Sequence, residues 1–145
     1  MQSTPRKLAG FTLIELVVTM VIAAMLAAIA IPAYSNYVLQ AHRTDAKTAL
    51  LDLASLEERY FSVNNAYTAV PANLGYSAFP ATVGSGYYTI SAPSVTVATA
   101  AAPATYTLTA TAVGYQLKDT QCLTFTLTQA GVQAATPDPN NSCWH

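Results

Sequence analysis

Charged side chains are scarce in this sequence. Asp, Glu, Lys and Arg together make up 9% of the 145 residues, whereas hydrophobic residues make up 52%. Six basic residues against seven acidic ones leave a formal net charge of −1, so the overall charge indicates neither a nucleic acid nor a strongly acidic partner. This composition is typical of a chain with a membrane segment, a buried oligomer surface or both. The length suits one compact domain plus an anchor.

Groups that carry enzyme chemistry are also few. The chain has two histidines and two cysteines, and it contains no Gly-rich phosphate loop, GxSxG or HExxH motif. Glu57 and Glu58 are adjacent carboxylates, but neighbours on a helix point in different directions, which favours a solvated helix face. Trp144 and His145 are interpreted as a surface pair. The sequence therefore predicts neither an enzyme nor a bound cofactor or metal.

The longest feature is an apolar run near the N-terminus. It extends from Leu16 to Ala33 without a charged residue, over 18 residues, and as a helix it would measure roughly 27 Å. A bilayer core is about 30 Å thick, so the run spans it once Phe11 to Ile14 are added. Arg6 and Lys7 precede the run. They would hold the N-terminus in the cytoplasm and direct the rest of the chain outward.

Three interpretations of this segment compete. A cleaved signal peptide would use the small residues Ala28 and Ala30 as its cleavage site, and a plain one-pass anchor would need no cleavage. Glu15 argues against both, because a carboxylate in an apolar segment costs about 2.5–3.5 kcal/mol on insertion scales and is usually functional. The run is also longer than the usual signal-peptide core of about 7–15 residues. The third interpretation is a short leader that is removed ahead of the apolar run.

The string Gly10-Phe11-Thr12-Leu13-Ile14-Glu15 resembles the prepilin-peptidase signature of type IV pilins. The resemblance implies cleavage after Gly10, N-methylation of Phe11 and a role in assembly for Glu15. Ile31-Pro32-Ala33-Tyr34 also resembles the family, in which a proline interrupts the first helix, so Pro32 is expected to kink it.

The same resemblance predicts the organisation and the partners of the chain. Residues 1–10 would be the leader, 11–37 a transmembrane and assembly helix, and 38–145 the globular head. The partners would be other pilin subunits, the prepilin peptidase and the pilus assembly machinery. The chain would sit in the bacterial inner membrane with its head in the periplasm, and then in an extracellular pilus that serves adhesion, twitching motility or DNA uptake.

The residues after the apolar run predict the head. Apolar side chains recur at helical spacing up to Phe61, which indicates an amphipathic continuation of the first helix, so that one helix would extend from Phe11 to about Val63. The stripe to be buried is Leu39, Ala46, Leu50, Leu53, Leu56 and Tyr60, while other positions, Arg43 and Glu58 among them, are polar. Turn residues from Asn64 to Gly86 predict a long connecting loop.

Period-two alternation then predicts strands. Thr105 to Ala112 and Cys122 to Thr128 alternate threonines with apolar residues, as half-buried strands do. Two further strands are expected around Tyr88–Ile90 and Val95–Val97, with a turn at Ala130-Gly131. We expect an α+β type IV pilin fold, in which the helix packs on an antiparallel sheet of about four strands.

The two cysteines are expected to form a disulfide. Cys122 and Cys143 would belong to an exported head, and an oxidising compartment favours a bridge. Closing a loop of this size stabilises the fold by roughly 3 kcal/mol on the chain-entropy estimate. The resemblance to pilins also implies such a C-terminal disulfide loop.

The leading functional hypothesis is a subunit of a type IV pilus, and the run Glu58-Arg59-Tyr60-Phe61 looks like a minor-pilin subgroup. A type II secretion pseudopilin is an alternative, although the cysteine pair disfavours the major pseudopilin, which usually lacks it. A DNA-binding minor pilin for natural transformation is another. Some members of the subgroup bind DNA, and Tyr87, Tyr88 and Tyr115 offer rings for stacking. DNA is not favoured, because beyond Arg59 the head offers only Lys118 to neutralise phosphates.

Overall fold

The computed structural model describes residues 10–139 and 142–144. The chain divides into two compact units, Met1–Asn36 and Tyr37–His145, and one α-helix, α1 (Leu13–Asn64), contributes to both. The predicted helix is confirmed to within two residues at either end. No glycine interrupts this stretch, and its many alanines and leucines favour helix. Pro32 lies inside α1, and the kink expected there stays a prediction. Residues 1–9 of the leader lie outside the described residues.

The second unit contains an antiparallel sheet, so the α+β class is confirmed. The strands are β1 (Ala81–Val83), β2 (Tyr88–Ile90), β3 (Ser94–Thr96), β4 (Thr105–Ala112), β5 (Thr124–Thr128) and β6 (Gln133–Thr136). The sheet order is β1-β2-β4-β5-β6, and β3 pairs with β4. Two 3₁₀ helices, η1 (Pro71–Leu74) and η2 (Gly114–Lys118), lie in the connections.

The expectation of about four strands was wrong, because the sheet has six. The four predicted strands are present, but two of their bounds differ: β3 ends at Thr96 and leaves Val97 exposed, and β5 begins at Thr124 and not at Cys122. The two missed strands are β1 and β6. β1 has three residues and lies within the predicted loop, while β6 follows the predicted Ala130-Gly131 turn but contains no β-branched residue before Thr136. Their strand geometry comes from pairing with β2 and β5, which local propensity does not reveal.

The core of the head lies between α1 and one face of the sheet. Leu50 and Leu53 of the helix are fully buried, and they belong to one apolar cluster with Ile90, Leu108 and Phe125 of the sheet. Four of the six predicted stripe residues are buried, whereas Leu56 and Tyr60 are half-buried. Two buried positions on α1 were not expected, Arg43 and Glu57.

A close approach of the β1–β2 turn to α1 requires glycine. Gly84 has a φ of +54°, and a Cβ there would collide with the Asp45 carboxyl group. That carboxylate accepts a hydrogen bond from the backbone N–H of Ser85 at 2.9 Å. The helix thus fixes the turn that carries the first edge strand.

Candidate functional site

The first turn of α1 carries the predicted N-terminal motif. The backbone N–H of Glu15 donates to the Thr12 hydroxyl at 3.3 Å, and the N–H of Leu16 donates to the Thr12 carbonyl at 3.2 Å. Thr12 is therefore the N-cap of the helix. The spacing from Thr12 to Glu15 is that of a capping box, and a carboxylate in the first turn interacts favourably with the helix dipole. The sequence Thr12-Leu13-Ile14-Glu15 therefore contains a local signal for the start of a helix. The helix start was predicted from the apolar run and without this signal.

An apolar surface continues from this turn along the first unit. Between Gly10 and Ala41, Glu15 is the one charged residue. The helix is long and apolar enough to cross a membrane by length and composition, and its most apolar stretch is not buried in the chain. The large hydrophobic side chains exposed here are Phe11, Leu13, Ile14, Leu16, Val17, Val18, Met20, Val21, Ile22, Met25, Leu26, Ile29, Ile31, Tyr34 and Tyr37. Such a surface is typical of a helix that lipid or neighbouring helices cover.

In the head, a buried ion pair joins α1 to the segment after β4. The Arg43 guanidinium donates from Nε and Nη2 to the two carboxylate oxygens of Asp119, at 2.7 and 2.8 Å. Both side chains are buried. The placement of Arg43 on the polar face was therefore wrong: a two-pronged contact with Asp119 compensates the burial of its charge. Sequence spacing does not reveal this pair, because its partners are 76 residues apart.

Gln116 of η2 extends this pair into a network. Its side-chain amide nitrogen lies 3.0 Å from the Leu39 carbonyl, 3.1 Å from Asp119 Oδ2 and 3.2 Å from the Tyr88 hydroxyl, so its two N–H groups are shared among three acceptors. The Tyr88 hydroxyl in turn donates to the carbonyl of Cys122 at 3.2 Å. Burial raises the pKa of Tyr88 to about 12, so this ring is a neutral core group. The suggestion that Tyr88 stacks on nucleic-acid bases was wrong.

His42 completes the network at its half-buried edge. Its Nδ1 lies 3.1 Å from Gln116 Oε1, and its ring stacks on Tyr87 with centroids 3.8 Å apart. Because the amide nitrogen of Gln116 faces two groups that can only accept, its oxygen faces His42, and Nδ1 must carry a proton. The network therefore holds η2 against α1 through side chains that are polar yet satisfied.

η2 presents an exposed aromatic and basic patch. The Lys118 Nζ lies 4.4 Å from the centroid of the Tyr115 ring, within the range of a cation–π contact. Tyr115 and Leu117 are exposed. Among the described head residues, 37–139 and 142–144, Arg59 and Lys118 are the exposed basic side chains, since Arg43 is buried and Lys47 half-buried. Of the residues expected to contact DNA, the structure brings Tyr115 and Lys118 together.

Glu57 is buried, so its placement on a solvated face was wrong. Its Oε2 accepts the backbone N–H of Thr68 at 3.1 Å, which ties the loop after α1 back to the helix. Its Oε1 has no hydrogen-bond partner among the described residues. Burial, and to a smaller extent the neighbouring Glu58 carboxylate, raises the pKa of Glu57, against the Thr68 hydrogen bond that lowers it. Glu58 is exposed and accepts from the Tyr67 hydroxyl at 3.0 Å.

We predict that Glu57→Gln removes a pH dependence of stability. With a folded-state pKa above the unfolded one, the folded chain binds more protons, so stability falls as pH rises from about 4.5 through the folded pKa. Urea unfolding of the full-length chain in detergent across this range measures the slope. In the Glu57→Gln variant the free energy of unfolding is expected to change less with pH, and toward neutral pH it should rise relative to that of the wild type. Asp52→Asn, at an exposed carboxylate of α1, is the matched control and should keep the wild-type slope; an unchanged slope in Glu57→Gln would contradict the prediction.

The predicted disulfide is present. Cys122 and Cys143 are bonded to each other and both are buried. Trp144 beside the bridge stacks edge-on against Phe125, at 5.7 Å between centroids, and donates from its indole N–H to the Ala134 carbonyl at 2.8 Å. Trp144 thus helps to close the sheet end and is not half of a surface pair, while His145 lies outside the described residues. In the described ranges no group of three or more His, Cys, Asp or Glu residues converges to hold a metal.

Comparison with known proteins covers both parts of the chain. Residues 5–31 match the family model of the prokaryotic N-terminal methylation motif, which includes Gly10, Phe11 and Glu15. Residues 32–126 match a family model described as type IV minor pilin ComP, DNA uptake sequence receptor. This second match covers most of the chain, including β1 to β4 and the start of β5 but not β6.

Individual relatives are more distant. The type IV major pilin protein PilA of Myxococcus xanthus is 35% identical over 68 residues, which are 47% of this chain and 31% of the relative. The match thus spans less than a third of that curated protein. A solved type IV pilin from Shewanella oneidensis is 28% identical and covers 74% of this chain and 98% of its own, with a TM-score of 0.49. From the match over residues 32–126, together with the methylation motif before it, the chain belongs to the family of type IV minor pilins of the ComP type.

Proposed function

We propose that the chain is cleaved between Gly10 and Phe11, methylated at Phe11 and polymerised into a type IV pilus through its N-terminal helix. The observation that carries this proposal is the exposed apolar surface of α1 with its single charge in the first turn. A bilayer covers this surface before assembly, and the helices of neighbouring subunits cover it afterwards. The head is outside the membrane, where the Cys122–Cys143 bridge is stable.

Glu15 gives the assembly step its register. Cleavage creates an α-amine at Phe11, and such amines ordinarily have a pKa of about 7.7–8.0 and are protonated near neutral pH. That cation lies at the N-terminus of α1, where the helix dipole disfavours it. When helices pack side by side, the Phe11 amine of one subunit meets the Glu15 carboxylate of another. A misplaced subunit leaves a charge unpaired in a water-poor core, so the correct stagger is selected.

The processing step has a direct test. The intact mass of the protein from envelopes or sheared fibres is expected to correspond to a chain that begins at methylated Phe11. Removing the leader takes away Arg6 and Lys7, so the mature chain is also more acidic, which isoelectric focusing detects. A mature chain that begins at Ile31 would mean an ordinary signal peptide and would overturn the proposal. Gly10→Ser, at the cleavage site, should accumulate as the full-length form.

DNA capture is a second candidate function. It is favoured by the family model, whose description names a DNA uptake sequence receptor, and by the exposed pair Tyr115 and Lys118 on η2. Aromatic rings of this kind stack on bases, at about 1–3 kcal/mol per base, and a lysine neutralises phosphate. Three further basic groups of the mature chain are less suited. Arg43 is neutralised by Asp119, and Lys47 is half-buried. Arg59 is exposed, but it lies on α1 and not on η2 with Tyr115 and Lys118.

We therefore predict a weak, shallow salt dependence of DNA binding. Removing Lys118 is expected to lower the slope of log K against log salt by about one unit, and Tyr115→Ala to weaken binding at every salt concentration. Fluorescence anisotropy with the full-length chain in detergent measures both. Arg59→Ala is the matched charge control outside η2. If Arg59→Ala has the larger effect, or if neither η2 variant changes the affinity, η2 does not contact DNA.

A further inference from the structure

The outer face of the sheet is a two-dimensional array of hydroxyl groups. Alternate residues of β4 are threonines that point away from the core, and so are those of β5. Three pairs stand opposite one another in the antiparallel register, Thr107 with Thr128, Thr109 with Thr126, and Thr111 with Thr124. These six residues form what we call the threonine block.

The neighbouring strands extend the array in the same register. One row crosses five strands, because each residue pairs with the next: Thr82, Thr89, Thr111, Thr124 and Thr136. A second row adds Ser94 beside Thr107. At the β3–β4 end, the hydroxyls of Thr96 and Thr105 are hydrogen-bonded to each other at 2.6 Å. All of these side chains are exposed or half-buried.

This face carries no formal charge and no aromatic ring. None of the residues in the six strands is Asp, Glu, Lys or Arg, and the aromatic residues of the strands point to the core side. Solvated sheet faces and edges usually include charges, which also prevent edge-to-edge association. An uncharged face is complementary to an uncharged partner. A face without aromatic rings lacks the flat apolar platforms on which sugar rings stack.

The spacing of the hydroxyls selects among neutral partners. Adjacent strands are about 4.7–4.9 Å apart, and alternate residues on one strand about 6.6–6.8 Å apart. In a tetrahedral water lattice with O···O bonds of about 2.7–2.8 Å, second-neighbour oxygens lie about 4.5 Å apart and the layer repeat is about 7.4 Å. The two spacings of the water lattice differ from the spacing between strands and the spacing along a strand by less than about 1 Å. The threonine block lies on two adjacent strands, so it accumulates only one twist step of about 20–25°.

We propose that the threonine block binds the surface of ice. Each threonine offers a hydroxyl that replaces a lattice water and a methyl group that fits between lattice oxygens. The Thr126 hydroxyl donates to the Ala134 carbonyl at 3.4 Å and can still accept from the lattice, and the Thr128 hydroxyl accepts from the Val132 N–H at 3.2 Å and can still donate. The partner is an ordered, uncharged water lattice, and the periodicity of the block matters because only a periodic partner engages several hydroxyls at once. A subunit exposed on a fibre would then attach the fibre to ice crystals.

The test is inhibition of ice recrystallisation by the full-length chain in detergent, with the same detergent alone as baseline. The wild type is expected to keep crystals small. Thr126→Tyr, which retains strand propensity but protrudes from the centre of the block, should need at least about tenfold more protein for the same effect. Thr48→Tyr, on an exposed position of α1, is the matched control and should behave as the wild type.

A second variant guards against loss of folding. Thr109→Lys places a solvated charge in the block, and it should reduce the activity while the thermal unfolding curve stays cooperative. Wild-type protein that behaves as detergent alone would overturn the proposal, and so would Thr126→Tyr and Thr109→Lys variants as active as the wild type. If the wild type is inactive on ice and both variants weaken self-association in sedimentation, the face instead contacts a second copy of the chain, and the proposal is wrong.

Discussion

Replacing Glu15 with alanine is expected to leave membrane insertion intact or improved, while the subunit largely fails to enter fibres. Insertion improves because a carboxylate in an apolar segment costs about 2.5–3.5 kcal/mol. Assembly fails because the Phe11 amine of a neighbour is left unpaired in a water-poor core, and losing one partner of a buried pair costs about 3–5 kcal/mol. The measurement is the ratio of membrane-bound to sheared-fibre protein for wild type and variant.

The capping geometry of the first turn makes a second variant informative. Glu15→Gln removes the charge but keeps a side chain able to accept hydrogen bonds in a capping box with Thr12. If Glu15 acts through its charge, Glu15→Gln should fail to assemble as Glu15→Ala does. If it acts only within its own helix, Glu15→Gln should assemble normally, and the pairing of subunits through this residue would be wrong. Asp52→Ala, an exposed carboxylate later in α1, should incorporate as the wild type.

Replacing Asp119 with alanine is expected to destabilise the head by about 3–5 kcal/mol, since it leaves the Arg43 guanidinium buried without its partner. The loss reaches further than one ion pair, because Asp119 also accepts from Gln116, which holds η2 against the Leu39 carbonyl. Urea unfolding of the full-length chain in detergent, followed by tyrosine and tryptophan fluorescence, measures the effect.

The double variant Arg43→Met with Asp119→Ala is the matched control. Removing both charges leaves no unpaired ion, so this variant is expected to recover much of the stability that the single variant loses. The difference in free energy of unfolding between the single and the double variant separates the cost of the unpaired, buried guanidinium from the cost of lost packing. A single variant within about 1 kcal/mol of the wild type would mean that water reaches Arg43 and that the pair does not hold η2.

Features that depend on contiguous residues were predictable from the sequence. The N-terminal motif from Gly10 to Glu15 is a local string, and the methylation-motif match covers it. The first half of the helix follows from the apolar run and the second half from a 3.6-residue period, and the predicted bounds agree with the structure to within two residues. β4 and β5 follow from strict alternation, and their threonines point outward as the period requires.

Features that depend on distant partners were not predictable. Period alone places Arg43 and Glu57 outside the apolar stripe, and the structure buries both, one against Asp119 and one against the N–H of Thr68. A polar residue is buried where a partner satisfies it, and the partner here is 76 residues away for Arg43 and 11 for Glu57. The sequence likewise predicts that the Tyr88 ring is available for stacking, whereas in the structure its hydroxyl donates to the Cys122 carbonyl in the core.

By itself, the sequence determined that this chain has an apolar N-terminal helix with one acid in its first turn, a head of α+β class and a cysteine pair near its end. Those properties lie in local composition, period and spacing, which the chain carries before it folds. The tertiary structure alone decided which polar groups are buried, how six strands order themselves, and that the threonines of neighbouring strands stand in register. Strand order and register arise from pairing between segments far apart in the chain, and that pairing is selected by the packing of the whole sheet on α1.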